Sequence, residues 1–364
     1  MTLSKNNYNS TKKKVAVALS GGVDSSVSAL LLQQQGYDVV GITAKMVNDN
    51  NFQTVVANAK NVADKLNIPH YVLDLSLDFQ NIVIKYFLDS YKNGETPNPC
   101  IICNKFIKWG KIFDYAINDL HCDLFATGHY AKIVNNNNIF YLKNAMDVKK
   151  DQLYFLFELN QQQLSKTIFP LADYIKPDVK NLALQFDLPS KSAKESQDIC
   201  FIKAPYTTKS FLLDNLPQMK GDFILKKENK KIGNTKHNGH FLYTPGQRKG
   251  IGIAYKNPLY VLSCEPITNN VFLGEKEELF QSEIKIKNIN IQNPNFKIKQ
   301  FKALAKVRYN MDYQYCNVFL QEEENNITTA KIIFENKISA IAKGQACVFY
   351  NPDDKSLIGG GWII

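Results

Sequence analysis

The sequence predicts an α/β fold class: a doubly wound parallel sheet, followed by a small β-rich central domain and a C-terminal β-barrel. Within residues 1–205, short apolar segments alternate with segments of helical spacing, as in a parallel sheet with crossover helices. Within residues 206–278, glycine and proline punctuate short alternating segments. Within residues 279–364 the alternation becomes regular, as in the strands of a barrel or a sandwich. These three ranges are the predicted domains.

The first strand is predicted at residues 15–19, which are apolar. Ser20, Gly21 and Gly22 interrupt it, because glycine tolerates the backbone angles of a tight turn. Asp24 favours the start of a helix and Gly36 favours its end. Further strands and helices of this domain are predicted at 37–46, 52–67, 70–75, 79–91, 105–120 and 124–127. A hairpin or an excursion of the chain over 133–142 and a helix that ends near Pro189 complete it.

The strands of the last domain are predicted from alternation of apolar and polar residues. They lie at 284–291, 302–307, 328–334 and 346–350.

The turn between the first strand and helix carries the string Ser-Gly-Gly-Val-Asp-Ser at residues 20–25. Backbone N–H groups and the positive end of the helix meet there, which suits a phosphate. A lone Gly-Gly would indicate an ordinary strand-to-helix turn, but the longer string resembles the pyrophosphate-binding loop of ATP pyrophosphatases. These enzymes adenylate a substrate oxygen and release pyrophosphate.

Charge indicates an acidic partner. The 364 residues carry a net charge of +10, and nucleic acid is the commonest acidic partner of a basic protein. Arg248 and Arg308 are the two arginines among 44 basic residues, so they are expected where a planar, bidentate donor is needed, or in a fixed carboxylate pair. The chain has no apolar run of membrane-spanning length, and its start is polar, without the apolar core of a secretory signal.

The cysteine pattern indicates a catalytic or metal-binding role. Seven scattered cysteines do not resemble a disulfide framework, which favours a reducing cytoplasm. Cys100 and Cys103 are spaced Cys-x-x-Cys after Pro97 and Pro99, and the prolines are expected to delay the helix until Lys105. Cys103 would then lie at a helix N-terminus beside a lysine, which would lower its pKa. A zinc half-site and inert thiols are the alternatives.

Several further strings lie in a fixed order along the chain. They are Asn-Pro-x-x-x-Cys-Asn at 98–104, Thr-Gly-His-Tyr at 127–130, Lys-Asp-Gln at 150–152, Asp-Ile-Cys-Phe-Ile at 198–202, Thr-Pro-Gly-Gln-Arg-Lys-Gly at 244–250, Val-Arg-Tyr at 307–309 and Gly-Gln-Ala at 344–346. Together with the glycine loop they span nearly the whole chain. The chain therefore resembles the tRNA-specific 2-thiouridylases, which place sulfur on C2 of the wobble uridine of tRNA.

The resemblance implies a role for each matching residue. Cys103 matches the catalytic nucleophile and Cys200 matches the cysteine that carries a persulfide. The ATP-binding positions are Ala18, Leu19, Ser20, Gly21, Gly22, Val23, Asp24, Ser25, Ala44 and Gly128. The target base is expected at Asn98, Pro99 and Cys100. The tRNA-binding positions are His129, Lys150, Asp151, Gln152, Arg308, Tyr309 and Gln345.

The implied reaction adenylates the C2 oxygen of uridine 34 with ATP and Mg²⁺, and sulfur from the persulfide then replaces it. The implied partners are the tRNAs for Lys, Glu and Gln and a sulfur donor, either a cysteine desulfurase or a sulfur carrier. Another adenylating enzyme, such as a lysidine synthetase or an amidotransferase-type synthetase, has no need of the paired cysteines. A non-catalytic RNA-binding protein has no need of Asp24, Ser25 or the cysteines.

One position departs from the family. Many members carry Asp where this chain has Cys100. A thiol is a weaker acid/base group than a carboxylate. It also leaves Cys100, Cys103 and Cys200 as three potential ligands of a 4Fe-4S cluster with one open iron. The cluster is a hypothesis of the sequence.

Overall fold

The computed structural model describes residues 12–47, 51–193, 199–323 and 326–364. Within these ranges, five parallel strands form the central sheet, in the order β3-β2-β1-β4-β7. They are β1 Lys14–Ala18, β2 Asp38–Lys45, β3 His70–Asp74, β4 Leu124–Ala126 and β7 Thr167–Ile168. Strands β5 Lys132–Asn136 and β6 Ile139–Lys143 form the predicted hairpin outside this sheet. The predicted parallel sheet is confirmed.

Helices cover both faces of the sheet, because its buried strands are apolar on both sides. Val15 and Val17 of β1 pack into one hydrophobic cluster, whereas Ala16 packs into the cluster on the other face. The helices of this half are α1 Val23–Gln34, α2 Asn51–Leu66, α3 Ser76–Phe79, α4 Lys85–Lys92, α5 Pro99–Ile102, α6 Gln161–Ser165 and α7 Lys176–Gln185. Wide π-helical turns extend the chain over Gln80–Ile84, Cys103–Ile112 and Tyr115–Asp119.

The helix that carries the first two cysteines begins earlier than predicted. It was expected from Lys105, but α5 begins at Pro99, directly after the extended N-cap residue Asn98, and continues through the π-helical turns. Proline is tolerated at the first helical position, because the N–H that it lacks would have no partner within the helix. Cys100 and Cys103 therefore lie one turn apart on one helix, and Cys103 does not lie at its N-terminus.

The small central unit has the order β10-β11-β8-β9. Its strands are β8 Phe223–Leu225, β9 Lys230–Lys231, β10 Tyr260–Glu265 and β11 Asn270–Gly274, and α8 Thr208–Asn215 precedes them. A separate cluster joins it to the first half: Phe201 and Phe211 pack with Phe87 of α4. Cys200 thus lies on the connection between the two units.

The last part of the described chain is a closed barrel, as predicted, in the order β12-β15-β14-β13-β16-β17. Its strands are β12 Phe280–Ile291, β13 Gln300–Lys306, β14 Gln314–Glu323, β15 Asn326–Ser339, β16 Ala346–Tyr350 and β17 Leu357–Ile363. The sequence did not predict β17, whose three consecutive glycines resemble a loop. They are accepted because Phe157 and the neighbouring backbone leave no room for a side chain: a Cβ at Gly360 would lie 2.8 Å from the Cys347 oxygen.

The barrel packs directly against the cysteine helix. The buried carboxylate of Glu158 accepts a hydrogen bond from Trp362 Nε1 of β17 at 2.9 Å and pairs with Lys105 Nζ at 2.9 Å. The side-chain amide of Gln345 donates to the carbonyl oxygens of Thr96 and Pro97, at 2.9 and 3.2 Å. The barrel therefore fixes both the helix and the turn that precedes it. None of the helices within the described ranges is long and apolar enough to cross a membrane.

The Glu158 contact predicts a stability effect. Trp362→Phe keeps the ring packing but removes the Nε1 donor, which leaves one buried oxygen of Glu158 without that partner. We expect the free energy of unfolding to fall by about 1–3 kcal/mol, measured by urea denaturation. Lys60→Gln, which removes an exposed ion pair with Asp64, is the control and is expected to change little. Equal stability of the Trp362 variant and the wild type would contradict this role of Glu158.

Candidate active site

The glycine loop lies between β1 and α1. Its first residue is fixed to β2: Leu19 N donates to Ile42 O at 2.8 Å, and Thr43 Oγ1 donates to Leu19 O at 2.6 Å. Gly22 is the N-cap of α1 and supplies no side-chain hydrogen bond to the first turn. The positive end of α1 is therefore uncapped by the chain's own side chains, which suits an anionic ligand.

Gly128 packs against this loop from the end of β4. A Cβ at Gly128 would lie 2.9 Å from both Asp24 C and Ser25 N, so a larger residue would separate the two segments. Ala44 lies half-buried near the end of β2, on the same edge of the sheet. The predicted ATP-binding positions thus come together where the parallel strands end, which is where α/β sheets bind ligands.

The carboxylate of Asp24 is held by residues that the sequence analysis did not select. Lys176 Nζ lies 2.6 and 2.7 Å from its two oxygens, and the Tyr130 hydroxyl donates to Oδ1 at 3.1 Å. Lys176 is buried at the start of α7, 152 residues away in the chain. The lysine provides a positive charge beside the glycine loop, and Asp24 balances this charge.

The three cysteines of the sequence hypothesis share one site. Cys103 is buried with 8% of its surface exposed, whereas Cys100 and Cys200 are exposed. Burial is the largest cause of the raised pKa of Cys103 and Cys200; charge on Cys200 or Cys100 adds to the rise at Cys103, and charge on Cys100 adds to it at Cys200, so the thiols lie within electrostatic range of one another. All seven cysteines are free thiols. Cys103 and Cys200, 97 positions apart in the numbering, are brought together by the fold.

The expected activation of Cys103 is wrong in its cause and its direction. Burial raises the pKa of Cys103 to about 12, and it also raises the pKa of the Cys100 and Cys200 thiols, which are surrounded by protein despite their exposed surfaces. Lys105, the predicted activating cation, pairs with Glu158 instead. The cation that opposes the shift at all three thiols is Lys108.

Lys108 in turn contacts His129. Its Nζ lies 3.3 Å from His129 Nε2, and His129 Nδ1 lies 2.7 Å from Thr127 Oγ1. The imidazole is buried between Trp109 and Phe169, and burial lowers its pKa well below the usual value. His129 is therefore neutral, with Nε2 accepting from the ammonium and Nδ1–H donating to Thr127. His129 was predicted to contact tRNA; the structure places it inside the site.

Residues 127–130 join the two halves of the site. Gly128 contacts the backbone of Asp24 and Ser25, His129 contacts Lys108 beside the cysteines, and Tyr130 donates to Asp24. A ligand at the glycine loop and a thiol at Cys103 would consequently approach the same short segment.

The other predicted tRNA positions fall into three groups. Tyr309 donates its hydroxyl to Asp151 O at 3.0 Å, and Gln152 Oε1 accepts from Tyr130 N at 3.0 Å, so residues 150–152 lie at the junction with the barrel. Gln345 holds the turn before Asn98. Arg308 is exposed, with Nη1 3.4 Å from two backbone oxygens.

Asp151 is a buried carboxyl in the first of these groups. It is 7% exposed, its Oδ1 has no hydrogen-bond partner, and burial raises its pKa to about 6. It borders a cavity of about 200 Å³ that Lys306 and Tyr309 also line.

The 4Fe-4S cluster of the sequence analysis stays a hypothesis. Among the residues that the structure describes, no group of three His, Cys, Asp or Glu side chains could hold a metal ion.

Comparisons with known proteins give a consistent family. Residues 13–204 match the model of a tRNA methyl transferase HUP domain, residues 209–275 a tRNA methyl transferase PRC-barrel domain, and residues 281–363 an aminomethyltransferase beta-barrel domain. The chain is 41% identical to the tRNA-specific 2-thiouridylase MnmA 2 of Clostridium botulinum over 97% of this chain and 99% of the relative. It is 38% identical to tRNA-specific 2-thiouridylase MnmA of Clostridioides difficile over 96% and 98%.

A solved structure also matches part of the chain. It is the U34-tRNA thiolase NcsA from Methanococcus maripaludis with its 4Fe-4S cluster, at 25% identity and a TM-score of 0.36, over 56% of this chain and 64% of that one.

The buried carboxyl of Asp151 predicts a pH dependence of stability. Because its pKa in the folded chain is about 6, above the value near 4 of an unfolded Asp, the folded chain binds more protons between these values. Its contribution to the free energy of unfolding therefore falls as pH rises through this window. Asp151→Asn cannot ionise, so we expect it to be more stable than the wild type at pH 7, by about 1–3 kcal/mol, and not at pH 4.

Urea denaturation at pH 4, 5, 6 and 7 measures this difference. Asp173→Asn is the control, because Asp173 is an exposed residue in a surface ion pair with Lys132. A stability difference for Asp151→Asn that stays constant over this range would contradict the buried, proton-binding state of Asp151.

Proposed function

The chain belongs to the family of tRNA-specific 2-thiouridylases, and from this premise we propose how its site replaces the C2 oxygen of wobble uridine 34 by sulfur. The enzyme is a tRNA-uridine 2-sulfurtransferase. The observation that carries the proposal is the segment 127–130, which contacts the glycine loop through Gly128 and the cation of the cysteine site through His129. Activation at one end of this segment and sulfur transfer at the other can thus act on one base.

ATP binds at residues 18–25, with Ala44 and Gly128 on the nucleotide side. The residues fit this ligand: the N-terminus of α1 has no side-chain cap, and Gly128 lets the segment after β4 pack directly against the loop. Both oxygens of Asp24 are bound by Lys176, so this carboxylate does not fit a magnesium ligand in the present arrangement. Mg²⁺ that enters with ATP would neutralise charge on the departing pyrophosphate.

The target base is taken out of its stack and placed against Asn98, Pro99 and Cys100. Gln345 holds the backbone immediately before this turn, so the barrel sets its position. The uridine C2 oxygen attacks the α-phosphorus of ATP and pyrophosphate leaves, which converts a poor leaving group into AMP.

Sulfur transfer then uses both cysteines. The terminal sulfur of a Cys200 persulfide forms a bond with C2, and the bond from C2 to the AMP oxygen breaks. Cys103 gives its proton to water and attacks Cys200 Sγ, so that the bond between Sγ and the transferred sulfur breaks and 2-thiouridine leaves. In the alternative order Cys103 attacks the persulfide first and liberates hydrosulfide, which attacks C2. Both orders end in a Cys103–Cys200 disulfide that an external thiol must reduce with two electrons.

The three proposed domains divide this work. Residues 1–205 carry ATP and the cysteines, 206–278 form the small central domain, and 279–364 form the barrel, which contacts tRNA through Arg308 and Tyr309. The net charge of +10 favours the tRNA backbone. The proposed substrates are the tRNAs for Lys, Glu and Gln in the cytoplasm. The sulfur comes from a cysteine desulfurase or a sulfur carrier.

The two-cysteine reaction predicts that neither thiol can be replaced. Cys103→Ser and Cys200→Ser should each reduce 2-thiouridine by at least ~10³-fold, because each removes a sulfur nucleophile, while tRNA affinity stays within a factor of about three. The measurement is mass analysis of wobble nucleosides after incubation with ATP, unmodified tRNA, cysteine and a desulfurase. Cys264→Ser, in the central unit, is the matched control and should remain active. Thiolation that persists in either serine variant would refute the mechanism.

The exposed side chain of Arg308 is expected to contribute to the electrostatic part of the tRNA affinity. Arg308→Gln should weaken binding and reduce the slope of log affinity against log salt concentration by about one, because one phosphate contact is lost. Lys331→Gln is the control, since Lys331 lies on the same barrel but pairs with Glu283 at 2.7 Å. Filter binding at several salt concentrations measures both slopes. An unchanged slope for Arg308→Gln would place tRNA elsewhere on the protein.

A further inference from the structure

Lys108 lies on the same helical segment as Cys103, five residues further on. The segment Cys103–Ile112 is π-helical, with hydrogen bonds from residue i to residue i+5. In such a wide turn, residues five apart lie on the same side of the helix. The backbone geometry therefore directs Lys108 to the side that carries Cys103, whereas Lys105 is directed to Glu158 and the barrel.

His129 fixes the direction of this lysine. Its ring is held by Thr127 at Nδ1 and packed by Trp109 and Phe169, and its neutral Nε2 lies 3.3 Å from the Lys108 ammonium. A neutral acceptor orients the ammonium without cancelling its charge, as a carboxylate would. The positive charge consequently stays available to the thiols.

The electrostatic effects on the thiols also indicate a role for Lys108. Burial raises the pKa of Cys100, Cys103 and Cys200, and the charge of Lys108 opposes this rise at all three, with a weaker effect of Lys203 at Cys200. The sulfur species of the proposed reaction are anions: a persulfide anion or hydrosulfide as nucleophile, and a thiolate at Cys103. Such anions are costly beside a buried thiol such as Cys103 unless a cation balances them.

Resting on the proposed function, we propose that Lys108 is a catalytic residue of sulfur transfer. Its ammonium, oriented by His129, pairs with the sulfur anion that attacks C2. It also pairs with the Cys103 thiolate. Lys108 exchanges no electron or proton in the reaction. It is needed in either order of the two cysteines, since hydrosulfide and persulfide carry the same charge. It takes no part in the adenylation of uridine.

The experiment separates the two half-reactions. Lys108→Met keeps the length and apolar stem of the side chain and removes the charge, whereas Lys108→Arg keeps the charge. Lys111→Met is the matched control, because Lys111 lies on the same helical segment and pairs with Asp78. For each purified full-length protein, pyrophosphate release with ATP and unmodified tRNA reports adenylation. Formation of 2-thiouridine with a desulfurase and cysteine reports sulfur transfer. Thermal unfolding and tRNA affinity report the fold.

We expect Lys108→Met to lower kcat of thiolation by about 10²-fold, with the KM for tRNA and the rate of pyrophosphate release unchanged. Lys108→Arg should retain at least about a tenth of wild-type thiolation, and Lys111→Met should match the wild type. Equal thiolation by Lys108→Met and the wild type would overturn the proposal, and so would a parallel loss of pyrophosphate release. Failure of the proposed function looks different, because the wild type itself would then form no 2-thiouridine.

Discussion

The close packing of Gly128 against the first turn of α1 is the contact on which the site depends. β4 and β1 are neighbours in the sheet, so the segments that follow them meet at one edge, but a side chain at residue 128 would hold them apart. With glycine there, His129 and Tyr130 are placed next to Lys108 and Asp24 respectively. The nucleotide loop and the thiol site lie on different elements, and the short segment 127–130 contacts both.

The barrel contributes to the same geometry from the other side. Glu158 links β17 to the cysteine helix, and Gln345 holds the backbone before Asn98, so the turn proposed to receive the base is attached to the domain proposed to bind tRNA. These contacts are hydrogen bonds of buried groups, which cost free energy when left unmade and so penalise other arrangements of the two parts. Gln345, taken as a tRNA contact from family resemblance, thus also aligns this turn, whereas Tyr309 holds the backbone of Asp151.

Local patterns in the sequence predicted the elements, and long-range contacts decided the rest. The alternation of apolar and helical segments and the string at residues 20–25 were sufficient for the parallel sheet and its loop. The start of α5 at Pro99 and the glycine-rich β17 were missed, because residue preferences alone favour a delayed helix and a loop there, and packing decides otherwise. Lys176 reaches Asp24 across 152 residues and Lys108 reaches His129 across 21, so neither lysine could be distinguished from the other 40 in the sequence.

A buried thiol with a raised pKa is consistent with a sulfur transferase when the charge around it is considered. Burial keeps Cys103 protonated and poorly reactive towards oxidants and other electrophiles, since the thiolate is the nucleophile. In the order in which the persulfide attacks C2 first, the attack by Cys103 is useful only afterwards, so low intrinsic reactivity protects the site between turnovers. Because the charge of Lys108 opposes the rise in pKa of all three thiols, this one cation can stabilise negative charge on each sulfur during the reaction. Because the neighbour of Lys108 is a neutral histidine and not a carboxylate, the positive charge of Lys108 is not neutralised and can act on the sulfur atoms.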